Sequence, residues 1–220
     1  MTEQQLTRAT MIGPFPLPDV DEQLRTDARA KQPGEWISFV DPAVDPDTTA
    51  PTFAVQGAYQ VGENGSIVDY RVNPEYYPSE VRAGYRFTTG LELTIWRVKN
   101  GYGPLGQLAD SFYHAELRTY AEHDGDTRIP VITDPEHPEI SLLPLASSTD
   151  WTRWEHTTAI SGSDVLELAG NSDVVLDLNP GTELALRFPA RELSGLCNEA
   201  TPHLLDYARG IAQQRANGTA

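Results

Sequence analysis

Five histidines stand at positions 114, 123, 137, 156 and 203, two of them beside acids in Glu122-His123-Asp124 and Glu136-His137-Pro138-Glu139. An imidazole next to a carboxylate could transfer protons or hold a metal. Neither pair has the His-Glu-x-x-His spacing that places two ligands on one helical face. Both fall in expected loops, where a hydrogen-bonded surface histidine is the plainer assignment. Ser161-Gly162-Ser163 lacks the strand–turn–helix setting of a nucleophilic serine and reads as a helix cap. Gly101-x-Gly103 lacks the third glycine and the preceding strand of a dinucleotide site. Asp41, Asp45 and Asp47 invite a calcium reading, but the glycine and closing glutamate of an EF-hand loop are missing, and Asx turns account for them. Cys197 is the only cysteine, which excludes an internal disulfide and a thiolate zinc cluster. These residues imply no catalytic centre, no metal and no cofactor. They favour a folded module that binds.

The whole chain narrows what could be bound. Its 220 residues suffice for one large domain or two small ones. Sixteen basic against 32 acidic residues give a net charge of -16. Nucleic acid calls for a basic footprint, and anionic membranes would repel this surface, so neither is an expected partner. Negative charge suits solubility, or a basic protein partner whose encounter it would accelerate. No apolar run approaches the roughly 20 residues of a membrane span. The start Met1-Thr2-Glu3-Gln4-Gln5-Leu6 lacks the basic and apolar segments of a signal peptide, which makes the cytoplasm the expected location.

The turn residues set out the elements. Gly13-Pro14-Phe15-Pro16-Leu17-Pro18 forbids a helix, so residues 1–18 read as an extended arm. Asp19 could cap a helix to about Lys31, with Val20, Leu24 and Ala28 along one side. Trp36 to Val40 is a strand. Strands 53–61 and 66–72 flank Gly62-Glu63-Asn64-Gly65, the strongest hairpin signal in the chain. Ser79 should cap a short turn. Segment 89–99 fits a helical stripe through Leu91, Ile95 and Val98 and also strand alternation through Leu91, Leu93 and Ile95; the stop at Asn100-Gly101 favours helix, and 105–115 makes a second helix. Arg118 to Glu122 and Ile129 to Thr133 suggest a hairpin around Asp124-Gly125-Asp126. Segments 140–145 and 151–155 read as edge elements, because Pro144 argues against a central strand. A helix at 161–169 precedes a hairpin at 174–188 around Asn179-Pro180-Gly181-Thr182, where proline and glycine suit a type II turn. Thr201-Pro202 should start a last helix to about residue 214. The expected class is α+β, with antiparallel β-hairpins packed against several short helices.

Tyr76, Tyr77, Tyr85, Tyr102 and Trp96 gather in the middle third. Core packing accounts for most of them, yet tyrosine and tryptophan also anchor interfaces. Tyr76, Tyr77 and Tyr102 are therefore candidate contact residues, with Asp45 and Asp47 as steering charges.

The order of motifs carries one further reading. Trp36-Ile37-Ser38-Phe39-Val40-Asp41-Pro42 with Asp45-Pro46-Asp47 is followed by Gly57-Ala58-Tyr59 and Asn73-Pro74-Glu75-Tyr76-Tyr77-Pro78-Ser79. Gly101-Tyr102-Gly103-Pro104, Pro130-Val131-Ile132-Thr133-Asp134-Pro135 and Leu178-Asn179-Pro180-Gly181-Thr182 come after. Over roughly residues 19 to 195 this series resembles the actinobacterial type VII secretion system-associated proteins, and its second half is similar to the SseB-like N-terminal domain. The segment Leu91 to Asn100 departs from the more alanine-rich helix of that pattern. The resemblance implies an arm at 1–18, an α+β subdomain at 19–116 and an SseB-like α+β subdomain with a C-terminal helix at 117–220. It implies a non-catalytic protein associated with specialised secretion loci; the reading preferred on that basis is a cytoplasmic accessory or chaperone-like factor that binds a secretion component, a secreted substrate or a toxin. An immunity protein that neutralises a secreted toxin is the alternative. Tyr59, Tyr76 and Tyr120 each have an acid four residues on, the first half of a type VII export signal, but no Trp-x-Gly accompanies them. An accessory role fits better than a substrate role.

Overall fold

A computed structural model describes residues 11–12, 15–73, 75–102 and 105–199. It is an α+β structure whose described residues form two compact units, one within 1–86 and 100–103, the other within 87–99 and 104–220.

In the first unit, β1 (Met11–Ile12) pairs antiparallel with β2 (Phe15–Pro16). Helix α1 (Glu22–Arg29) starts later than Asp19 suggested, because Asp21 is the cap and its carboxylate accepts the Leu24 N–H at 2.8 Å. A three-stranded antiparallel sheet follows in the order β3 (Trp36–Val40), β4 (Val55–Val61), β5 (Ile67–Val72). The expected hairpin joins β4 to β5, with Asn64 and Gly65 both at positive φ. Leu17, Leu24 and Tyr59 are buried between α1 and one sheet face, with Ile37, Phe39, Tyr70 and Val72 packed against them. Leu17 and the backbone of β5 crowd Gly57, where a Cβ would come within 2.5 Å of the Arg71 carbonyl. Ser79 caps the short helix α2 (Glu80–Ala83) through the Arg82 N–H, as its position predicts.

The second unit opens with helices α3 (Gly90–Lys99) and α4 (Leu105–Tyr113), both where the sequence places them. Its sheet runs β11 (Leu186–Pro189), β10 (Val174–Leu178), β8 (Ser141–Ala146), β6 (Glu116–Tyr120), β9 (Thr157–Ser161), with β7 (Ile132–Thr133) also on β8. Only the β8–β10 pair among them is parallel. Helix α5 (Gly162–Ala169) is capped by Ser161, and helix α6 (Ala190–Glu199) packs on α4, α5, β10 and β11.

Three strand expectations are corrected here. The 118–133 hairpin does not form: β6 pairs with β9 and β8 instead. The intervening loop closes on itself, because the Asp126 carboxylate takes the N–H groups of Glu122 and Arg128 and two nitrogens of the Arg128 side chain. Residues 151–155 contribute no strand; the strand comes later, at Thr157–Ser161. Pro144, expected at an edge, lies in the central strand β8. On its amide side β7 covers Ser141 and Leu142 while β6 covers Leu145 and Ala146. The missing N–H therefore faces a gap between two partners, and the Thr119 hydroxyl donates to the Pro144 carbonyl at 2.9 Å. The Asn179–Thr182 turn forms as expected, with Gly181 at φ 70° and the Thr182 N–H on the Asn179 carbonyl. The helix expected at 202–214 lies outside the described residues, and α6 was not foreseen.

Candidate functional site

The expected contact residues separate into two groups. Tyr76, Tyr77 and Tyr102 are all buried, having relative exposures of 1%, 3% and 2%. Tyr76 and Tyr102 meet edge to face with ring centroids 5.8 Å apart. The Tyr76 hydroxyl donates to Asp41 Oδ2 at 2.9 Å, and the Ser79 N–H reaches the same oxygen at 3.0 Å. Burial, then the charge of Asp41, pushes the Tyr76 phenol far above its ordinary range. The structure thus assigns these rings to the core. Their sequence signal, aromatics among prolines in an irregular segment, is shared by packing and by recognition.

Asp45 and Asp47 remain outside, on the loop that leaves β3. Asp45 Oδ1 accepts the Asp47 N–H at 2.9 Å, and the Asp45 carbonyl accepts the Thr48 hydroxyl at 2.8 Å. The Asx-turn reading holds, and the turn fixes the backbone while leaving the Asp47 carboxylate to solvent.

Beside this loop lies the outer face of the first unit's sheet. Trp36, Ser38 and Val40 alternate along β3 on that face. The Arg71 guanidinium stands over the Trp36 ring at 4.6 Å, close enough for cation–π attraction. Val40 is 42% exposed at the end nearest the acidic loop. The surface accordingly offers an aromatic under a cation at one end of β3 and, at the other, an exposed valine from which the chain runs on into the acidic loop. No sequence signal singled out this face, since Trp36 to Val40 reads equally as a buried strand.

The second unit carries four further polar arrangements. Glu92 is fully buried, and its carboxylate accepts from the Thr88 N–H and hydroxyl, both at 2.7 Å, with the Ser147 hydroxyl at 3.2 Å. Burial alone would push this carboxyl up; the Thr88 bonds, with Ser148 and Thr89, hold it below the usual glutamate range. Asn179, also fully buried, accepts the Ser147 N–H at 2.8 Å. Asp134 and Asp177 both lean on Arg187. His156 Nδ1 lies 2.9 Å from Asp124 Oδ1 and ties the 122–128 loop to the start of β9. The Cys197 thiol is raised by burial and by Asp110, and sits 3.4 Å from the Ala109 carbonyl. Among the described residues no three His, Cys, Asp or Glu side chains converge as a metal site requires. A cleft between α4, α5 and α6 is lined by Tyr113, Asp164, Leu166, Glu167, Ser194 and Cys197. No described helix is long and apolar enough to cross a membrane.

Comparison with family models, with curated proteins and with solved structures finds no match to this chain.

Proposed function

We propose that the protein is a non-catalytic, cytoplasmic protein-binding factor that serves type VII secretion in an accessory or chaperone-like role. The observation that carries the binding role is the exposed acidic loop, Asp45 and Asp47, set directly after a strand whose last residue, Val40, is 42% exposed. Exposed charge next to an exposed apolar side chain is the arrangement that steers and then seats a protein partner. The secretion setting is supported by the order of motifs in the chain. Asp41, Tyr76 and Tyr102, which belong to three separate motifs, join at one buried node.

Affinity capture with the tagged full-length protein, followed by mass spectrometry, tests this reading. The expected result is a stoichiometric complex with a small helical secretion substrate or a component of the secretion machinery, weakened by salt. Capture of a toxin domain whose activity falls in proportion to added protein would replace it with the immunity reading. Substrate turnover by the purified protein would overturn the non-catalytic assignment.

A further inference from the structure

The two edges of the three-stranded sheet are finished differently. On β5 the Asn73 N–H donates to the Gln56 carbonyl at 3.0 Å, which fixes the hydrogen-bonding phase of the ladder. Asp69 and Arg71 then face β4, and the backbone of Tyr70 and Val72 points away from the sheet. The outward Tyr70 N–H is taken by Asp69 Oδ1 at 2.8 Å, so a side chain occupies that donor of the edge. On β3 the Val61 N–H donates to the Glu35 carbonyl, and the Asp41 N–H to the Ala54 carbonyl, each at 2.8 Å. Residues 35, 37, 39 and 41 thus face β4, and Trp36, Ser38 and Val40 turn their N–H and C=O groups outward. No described strand pairs with that edge, and among the described residues no side chain accepts those three N–H groups.

Resting on the protein-binding reading above, we propose that the free edge of β3 receives an extended segment of a partner protein by strand addition, with a basic residue of that segment meeting Asp45 and Asp47. Outward backbone groups alternate along Trp36, Ser38 and Val40 and supply the ladder, while their side chains form the face that a partner's alternate side chains adjoin. Charge sets the direction. The acidic loop lies at the Val40 end and the Arg71 guanidinium at the Trp36 end, so the segment places its cation beside the loop. Charge also selects the occupant: a net -16 on every copy opposes edge-to-edge pairing of this chain with itself. In the second unit the edge strand β9 is less open, since of its outward residues Thr157, Ala159 and Ser161 only Ala159 is exposed.

The test uses the full-length protein against a display library of random linear peptides. Enriched peptides are then added to isotope-labelled protein while backbone amide exchange is followed by NMR. The expected outcome is enrichment of alternating β-branched sequences with a terminal Lys or Arg. The amides of Trp36, Ser38 and Val40 should then exchange about tenfold more slowly, and that of Tyr70 should be unchanged. Ser38→Pro, which removes one outward N–H, should abolish binding, and joint Asp45→Asn and Asp47→Asn substitution should weaken it and flatten its salt dependence. Protection in the α4–α5–α6 cleft or elsewhere would overturn strand addition while leaving the protein-binding reading standing. Peptides that bind folded Ser38→Pro equally well, or no enrichment at all, would also overturn it. Slowed exchange at the same amides without peptide, together with dimers in sedimentation, would overturn it by making a second copy the occupant. If Ser38→Pro fails to fold, the wild-type exchange pattern still decides.

Discussion

Tyr76 donates its hydroxyl to Asp41 Oδ2 at 2.9 Å, and this bond joins the end of β3 to the irregular segment 75–79 inside the first unit. The carboxylate is itself 4% exposed and also accepts the N–H groups of Ser79 and Ala43. Removing the phenol oxygen leaves a buried charge one donor short. Tyr76→Phe should therefore cost about 1–3 kcal/mol of stability, and Tyr76→Ala about 3–5 kcal/mol through the added cavity. Urea unfolding measures both. A Tyr76→Phe value indistinguishable from wild type would show that the Asp41 bond does not contribute.

Glu92 predicts a pH dependence. Its folded carboxyl titrates below the ordinary range, so it binds protons less readily folded than unfolded. The resulting stability is fully present above the unfolded glutamate value of about 4.3 and is lost as pH falls through the folded value. Glu92→Gln should cost about 1.5–3 kcal/mol at neutral pH, the range for hydrogen bonds to a charged group. The gap between the two proteins should shrink below about pH 4. Thermal unfolding at neutral and acid pH provides the check, and a constant gap would assign the cost to shape instead of charge.

These two sites also mark how far the sequence could be read. Turn chemistry was legible, because Asn64-Gly65, Ser79 and Pro180-Gly181 act through their own backbone, and each formed as its residue types require. Pairing at a distance was not. Arg118 to Glu122 looks like half of a hairpin, and only the tertiary fold supplies β9 as its neighbour. Pro144 obeys the rule against proline in a paired position, but the gap that satisfies the rule is made by two other strands. For the candidate site, Asp45 and Asp47 are named from their charge and turn spacing, and the structure shows both exposed. Trp36, Ser38 and Val40 were missed as an edge, since strand order is not written in local pattern.

Gly162 should tolerate no side chain. A Cβ there would lie 1.7 Å from the Phe112 carbonyl oxygen, and the Gly162 N–H already donates to the Ala115 carbonyl at 2.9 Å. Backbone meets backbone, so neither partner can rotate away. Gly162→Ala should destabilise by at least about 3 kcal/mol. Gly84 is the contrast, with φ +64° and, among the described residues beyond its chain neighbours, no atom within 4 Å of the point where a methyl group would stand. Gly84→Ala should cost only about 1–2 kcal/mol of left-handed backbone strain. Equal melting temperatures for the two variants would refute the distinction.

The Asp69 plug makes the last prediction. Its carboxylate occupies the outward Tyr70 N–H at 2.8 Å, at a solvent-exposed edge where water can replace it. Asp69→Ala should therefore change stability by less than about 1 kcal/mol. It should instead free the Tyr70 N–H of the β5 edge, and concentration-dependent association should appear in sedimentation velocity at high salt, where the net charge of -16 that opposes self-pairing is screened. Asp69→Asn separates two causes of such an effect. It removes the same negative charge as alanine does, but its side-chain oxygen can still accept the Tyr70 N–H. Association of the alanine variant alone would show that the hydrogen bond closes the edge. If both variants associate equally, the protection comes from charge repulsion, and if neither does, the β5 edge needs no plug.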